Sequence, residues 1–225
     1  MGIYPESSHH EEGPGQNEID FKYSEPLTAA DNAMTFVSVV GATSARNGVF
    51  ADFSPKPLSD KAGSGFHINF SIENGKKVKD AAIAGVLKHA PAMTAFLNHT
   101  EESYRRLGEK KAPAYVCWGR ENRSQLIRIP AAEGDYARAE LRSPDPFANP
   151  YLAFALIIYA ALDGIEKGYK LKKGSDLNIY SADEKTLAKY RRLPSTKEEA
   201  IAVSLKSGFI KSVLPKTIIK SYLEK

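Results

Sequence analysis

Gly65-Phe66-His67-Ile68-Asn69-Phe70-Ser71-Ile72 alternates without a break. Phe66, Ile68, Phe70 and Ile72 point one way, and His67, Asn69 and Ser71 point the other. A period of two over eight residues predicts a strand with one face in a core and an imidazole on the other face. Outward from it, 49–53 reads as a short strand ended by Pro55 and Pro57, and 17–23, 114–118, 125–129 and 137–142 are further strand candidates. Helical spacing takes over between them. Pro26 opens a helix over 27–46, with Ala29, Ala33, Phe36, Val37 and Val40 on one side and Gly48 near its end. A second helical region, 78–97, is expected to break or kink just before Pro91. A long apolar helix covers 146–167, and 193–206 and 215–225 read as helices of the tail. The first twenty residues look like loop, rich in His, Glu and Gly. Strands and helices do not alternate regularly, which predicts an α+β fold with a mainly antiparallel sheet. One domain is expected over 1–225: a sheet-and-helix core over 1–168 and a mostly helical tail over 169–225.

Composition narrows the function. The chain has 225 residues, 42% hydrophobic and 26% charged, with a formal net charge of +4, so it can bury a sizeable core and is not a disordered chain. No Lys/Arg cluster is dense enough for nucleic acid. The one cysteine, Cys117, excludes an internal disulfide and a cysteine-based zinc site, and its apolar surroundings suit a buried structural thiol. The longest apolar stretch, 151–162, is too short to span a membrane, and a cytoplasmic protein is expected.

The strand candidates share a pattern. Glu18, Asp20 and Lys22 oppose Ile19 and Phe21; Arg128 opposes Ile127 and Ile129; Arg138, Glu140 and Arg142 share a face, as His67 does on its own strand. One such strand is an ordinary solvated face. Four, carrying Glu, His and Arg but few Lys, are a different matter. Glu and His together suit a hard divalent cation, and grouped arginines suit phosphate and carboxylate. The combination describes a phosphoryl-transfer site.

Several motifs then carry a family resemblance. Ser8-His9-His10-Glu11 with Pro14-Gly15-Gln16-Asn17-Glu18 resembles the metal-binding loop and strand of glutamine synthetases. Lys56-Pro57 and Gly63-Ser64-Gly65-Phe66-His67 resemble that family's ATP signature. Asn122-Arg123-Ser124 with Ile127-Arg128-Ile129-Pro130 resembles its phosphate-binding segment. Glu140-Leu141-Arg142, Pro144-Asp145-Pro146 and Ala148-Asn149-Pro150-Tyr151-Leu152-Ala153-Phe154 resemble its last site strand and the helix after it.

The resemblance implies a curved, mainly antiparallel sheet with flanking helices, and ATP- and Mg²⁺- or Mn²⁺-dependent joining of glutamate and ammonia through a γ-glutamyl phosphate. It implies two metal sites, with Glu11 and Glu18 as ligands of one and His67 and Glu140 of the other. Arg123, Arg128 and Arg138 match phosphate contacts; Glu6, Tyr23, Asn69 and Ser71 match nucleotide contacts; Gly63, Arg106 and Arg142 match the glutamate site. Arg128, if its partner is a ligand phosphate, should leave little in the fold dependent on it. Tyr180 resembles a tyrosine that some bacterial relatives adenylylate, although an unmodified loop tyrosine fits as well.

The chain departs from the family in three ways. Ala62 stands where the family usually has Asn. Lys111 stands before Ala112-Pro113 where it has a flap Glu, so Glu109 would have to serve from a shifted position, and Lys111 would repel ammonium. The family's N-terminal domain and two further metal-binding glutamates have no counterpart, so Met1 is expected to begin a piece of a longer, homo-oligomeric enzyme, inactive by itself. With fewer carboxylates per metal, Glu11 and Glu18 should both hold protons more tightly. Two alternatives stay open: an amine ligase of the same family using another amine, and a non-catalytic nucleotide-binding relative.

Overall fold

The computed structural model describes residues 2–73, 75–109, 111–131 and 138–224. Within the alternating stretch 65–72 the strand is shorter than expected: β3 (Ile68–Phe70) is the edge of a four-stranded sheet in the order β3-β6-β5-β4, and His67 lies just before it. β4 is Trp118–Arg120, β5 is Ile127–Ile129 and β6 is Ala139–Leu141. β6 is antiparallel to β3 and β5, and β4 runs parallel to β5. Register aligns Ile68, Leu141, Ile127 and Trp118 in one row and Asn69, Glu140, Arg128 and Gly119 in the next. Ile68, Leu141 and Ile127 are buried in the main apolar core.

The other wall of that core is helical. α2 (Lys79–Leu97) and α4 (Pro150–Glu166) cross where each has a glycine. A Cβ on Gly85 would lie 2.1 Å from the Ala160 carbonyl oxygen, and one on Gly164 would lie 2.1 Å from that of Ala81. Short α3 (Glu101–Arg106) follows α2, and Thr100 caps it reciprocally with Ser103. Past residue 168 come α5 (Glu184–Leu187), α6 (Lys197–Lys206), α7 (Gly208–Val213) and α8 (Lys216–Leu223). α6 packs on α2, where Ser204 Oγ donates to the Ala92 carbonyl at 2.6 Å. Among the described residues no helix is long and apolar enough to cross a membrane. Cys117 is buried, and burial pushes its thiol up to about 11, which makes it unreactive near neutral pH.

A separate antiparallel pair lies at the N-terminal end: β1 (Pro5–His10) and β2 (Asn17–Phe21). Residues 5–10, expected as loop, carry no apolar alternation, and the whole strand is exposed. α1 (Pro26–Arg46) follows, and Phe21, Phe36 and Phe53 form an aromatic chain with centroid separations of 6.0 and 6.5 Å.

Several expected boundaries move. Residues 49–53 form no strand: Asp52 Oδ1 accepts from Ser54 N–H at 2.8 Å, and Phe53 is taken up by Phe36. Of residues 114–118, Tyr115 forms an isolated bridge with Arg192, the Cys117 carbonyl accepts from Ile127 N–H at 3.1 Å, and β4 begins at Trp118. The last strand begins at Ala139, and Ala137 lies outside the described residues. The helix expected from 146 starts at Pro150, because Asn149 accepts from Leu152 N–H at 3.2 Å and proline fits the first turn. Likewise Thr196 caps Glu199 N–H at 3.1 Å, so the helix expected from 193 begins at Lys197. Pro91 lies inside α2, which runs as one helix through it. Its turn is buried from Ala90 to Leu97, and that packing outweighs the lost hydrogen bond.

Candidate active site

Glu140 is the hub of the polar row. Its side chain is 7% exposed and contacts three groups: Arg142 Nη1 donates to Oε1 at 2.6 Å, Arg128 Nη1 donates to Oε2 at 2.9 Å, and His67 Nδ1 lies 3.2 Å from Oε1. A buried carboxylate needs such partners to stay ionised. Burial raises the Glu140 pKa, but the His67 hydrogen bond and the charges of Arg142 and Arg128 outweigh it and bring the carboxyl down to about 2. His67 moves the opposite way to an ordinary ion-pair partner: burial lowers its pKa more than Glu140 raises it, with Arg142 and Arg106 adding to the fall. The imidazole is therefore neutral at pH 7, with its second ring nitrogen facing Gly65. Arg128 does have a protein partner, contrary to expectation, and its buried Nε has none among the described residues.

Beneath this row lies Arg106, buried at the end of α3, donating to the Ser143 carbonyl at 2.8 Å and the Arg142 carbonyl at 3.3 Å. Burial brings its pKa down to about 10 although Asp145 opposes the change. Glycines make this approach feasible. A Cβ on Gly63 would lie 2.9 Å from Arg106 Cγ, and one on Gly65 would lie 2.8 Å from both Arg106 Nη2 and His67 Nε2. The Gly63 carbonyl accepts from Gln16 Nε2 at 3.1 Å, which ties the β1–β2 hairpin to the sheet.

On that hairpin His9, Glu11 and Glu18 present ligand atoms all within 4.8 Å of one another. His9 and Glu18 are register partners, and His9 Nε2 is 3.3 Å from Glu11 Oε1. One imidazole and two carboxylates fit a hard divalent cation. His67 with Glu140 fits one less readily, because both Glu140 oxygens already accept from guanidinium groups. Burial and the neighbouring Asp20 and Glu11 carboxylates raise the Glu18 pKa; Glu140 adds to this, so the hairpin and the sheet face lie within electrostatic reach of each other. Glu11 goes the other way, contrary to expectation. Burial raises its pKa, but Lys111, His9 and a backbone hydrogen bond lower it more. Lys111 Nζ lies 3.5 Å from Glu11 Oε2 and 3.1 Å from Glu12 Oε1.

Arg123 uses its carbonyl to accept from Arg142 Nε at 3.1 Å, and the residue lines a cavity of about 510 Å³ with Lys111, Arg120, Glu121, Asp176 and Tyr180. Lys111 and Glu121, both on this wall, are the two non-glycine residues with left-handed backbones among those described (φ 71° and 56°). Glu109 is paired with Lys56 at 3.0 Å, and Lys110 beside it lies outside the described residues. Glu6, Tyr23, Asn69, Ser71 and Arg138 are all exposed; Asn69 shares the Glu140 row, and Glu6 and Tyr23 lie at the end of the hairpin away from its turn. Tyr180 sits in a 3₁₀ turn, its hydroxyl 3.5 Å from the Arg123 carbonyl. His9 and the contacts of Lys111 are what sequence reasoning missed. His9 lies in the Ser8-His9-His10-Glu11 motif, but its pairing with Glu18 needs β1.

A family model described as "Glutamine synthetase, catalytic domain" matches residues 1–225. The chain belongs to this ligase family. A glutamine synthetase of Methanosarcina mazei is 41% identical over 240 residues, covering 99% of this chain and 54% of that protein. One from Thermococcus kodakarensis is 44% identical over 196 residues, covering 82% of this chain and 44% of the relative. The chain thus spans about half the length of the curated glutamine synthetases it matches. Among solved structures, GmaS in complex with ADP superposes with a TM-score of 0.87 at 28% identity, over 99% of this chain and 56% of that one. GmaS without ligand gives 0.86 at 29% identity, over 99% and 54%. The glutamine synthetase family fold is an α+β fold, as the sequence pattern predicts.

Proposed function

We propose that the protein takes part in ATP-dependent ligation in which the γ-carboxylate of glutamate is phosphorylated and the γ-glutamyl group passes to ammonia or another amine. The observation that carries this reading is the contact of Glu140 with His67, Arg128 and Arg142 on a face beside the His9–Glu11–Glu18 cluster. Phosphoryl transfer is catalysed chiefly by placing fixed positive charge where negative charge develops. Arg123, Arg128 and Arg138 are assigned to the phosphates, and Glu6, Tyr23, Asn69 and Ser71 to the rest of the nucleotide. Arg128 would exchange Glu140 for phosphate. Gly63, Arg106 and Arg142 are assigned to glutamate: Arg106 has five N–H donors and uses two on carbonyls, leaving donors near Gly65 for a carboxylate.

Glu11 and Glu18, with His9, would hold one Mg²⁺ or Mn²⁺, and His67 with Glu140 a second. Bound there, the metal supplies Lewis-acid charge to the phosphates. Glu109 is assigned as the flap acid and would have to leave Lys56 before it could take a proton from ammonium. Assembly into a homo-oligomer is part of the proposal, supported by the exposure of Val49 and Phe50 beside α1.

A specific observation favours the second amine reading. The Lys111 ammonium beside Glu11 and Glu12 puts positive charge where ammonium would arrive, which suits a different amine. The test is a panel of ammonium and primary amines with ATP, glutamate and Mg²⁺ on the complete homo-oligomeric enzyme, scored by phosphate release and product mass. Release that requires glutamate and one amine, and is lost in Arg128→Ala, is the expected result. Nucleotide binding with no amine-dependent release would instead support a non-catalytic relative.

A further inference from the structure

We propose that Lys111 is a built-in counter-ion of the hairpin cluster that competes with a divalent cation for Glu11. The inference rests on the metal reading of His9, Glu11 and Glu18. Both oxygens of Glu11 are already engaged: His9 Nε2 is 3.3 Å from Oε1, and Lys111 Nζ is 3.5 Å from Oε2. Glu12 Oε1, 3.1 Å from the same Nζ, is the second anchor. A cation entering between Glu11 and Glu18 therefore meets an ammonium already in place and must displace it or sit beside it.

The placement of Lys111 is built into the loop. Its backbone is left-handed at φ 71°, which a side chain with a Cβ adopts only when the surroundings impose it. Here the loop imposes it through Gly108 N–H to the Ala112 carbonyl at 2.8 Å and Ala112 N–H to the Glu109 carbonyl at 2.9 Å. The side chain also has somewhere else to go. Lys111 lines a cavity shared with Arg120 and Arg123 and with the carboxylates of Glu121 and Asp176, which offer the ammonium another partner once a metal has taken Glu11. Lys111 thereby sets how strongly the cluster holds metal in the absence of nucleotide.

The competing explanation is an ordinary partly exposed ion pair that happens to lie near the cluster, and metal affinity separates the two. Mn²⁺ is titrated calorimetrically, without nucleotide, into the protein and its Lys111→Met, Lys111→Arg and Glu11→Gln variants. Removing a partly exposed ion pair frees Glu11 by up to a factor of about five, and removing the repulsion adds to it. Lys111→Met is therefore expected to bind Mn²⁺ roughly fivefold or more tightly than the parent, with an unchanged melting temperature. Lys111→Arg, which keeps the charge, is expected to stay near the parent. Equal or weaker Mn²⁺ binding by Lys111→Met, while Glu11→Gln still abolishes it, would overturn the role of Lys111 and leave the metal site standing. Binding that is indifferent to Glu11→Gln, or absent in every variant, would overturn the metal reading and this inference with it.

Discussion

Glu140 concentrates the electrostatics of the site in one carboxylate. Its folded-state pKa of about 2 lies below the ordinary 4.5, so it stabilises the fold above the unfolded value. That contribution is lost as pH falls from about 5 towards 2, and the shift corresponds to roughly 3 kcal/mol. Urea midpoints measured across that window should fall steeply, and Glu140→Gln should flatten the slope; an equal slope in both proteins would place the acid sensitivity elsewhere. The two arginines on this carboxylate should differ. Arg142 is buried and also holds the Arg123 carbonyl, so Arg142→Ala leaves Glu140 to the more open Arg128 and to His67, frees that carbonyl, and is expected to cost about 3 kcal/mol. Arg128 is more open and Arg142 remains when it is removed, so Arg128→Ala is expected to cost roughly 1–2 kcal/mol. Denaturant unfolding that ranks the pair the other way would refute this division. The residues of this row were legible in the sequence because alternation alone puts His67, Arg128, Glu140 and Arg142 opposite apolar neighbours. Lys111 on Glu11 was not legible, because a loop residue that reaches across a hundred positions leaves no periodic trace.

Elements were read best where their apolar pattern is continuous and worst where polar contacts set the ends. The α4 pattern was plain, but its first residue depends on the Asn149 cap. Residues 49–53 look like a strand in composition and have no ladder partner. Pattern also says little about how two helices approach. Propensity alone would make Gly85 and Gly164 weak points in helices, since glycine in a helix interior is less favourable than alanine by about 1 kcal/mol. Their positions reverse that expectation. Each packs against the other's backbone, with room for no Cβ. Gly85→Ala and Gly164→Ala should each therefore destabilise by roughly 1–3 kcal/mol or more, through forced separation of α2 and α4. Thermal melts decide the sign: a raised melting temperature would mean that the crossing is looser than described and that propensity governs.

At the scale of the molecule, stability should be uneven. The core beneath the four-stranded sheet includes Ile83, Val86, Met93 and Phe96 at 0% exposure. The β1–β2 hairpin is a separate two-stranded sheet whose first strand is wholly exposed. Such a pair is marginal without outside support. Here the support includes the Gln16 bond to Gly63, the Phe21–Phe36 contact and the Lys111 ion pairs. The hairpin is thus expected to open locally while the core stays closed, so its amides should exchange with solvent far faster than those of α2. A metal held by His9, Glu11 and Glu18 would bridge the two strands and would be lost when they part. Its binding energy therefore adds to the opening cost of the hairpin alone. At a free Mn²⁺ concentration of 100 times its Kd that addition is about 2.7 kcal/mol, or roughly a hundredfold in exchange rate. Hydrogen exchange read by mass spectrometry should show slowing across residues 7–20, reversed by a chelator, with α2 unchanged. Slowing spread evenly over the chain would mean that the hairpin opens only with the global fold. An unaltered hairpin at saturating Mn²⁺ would mean that the metal does not hold these two strands together.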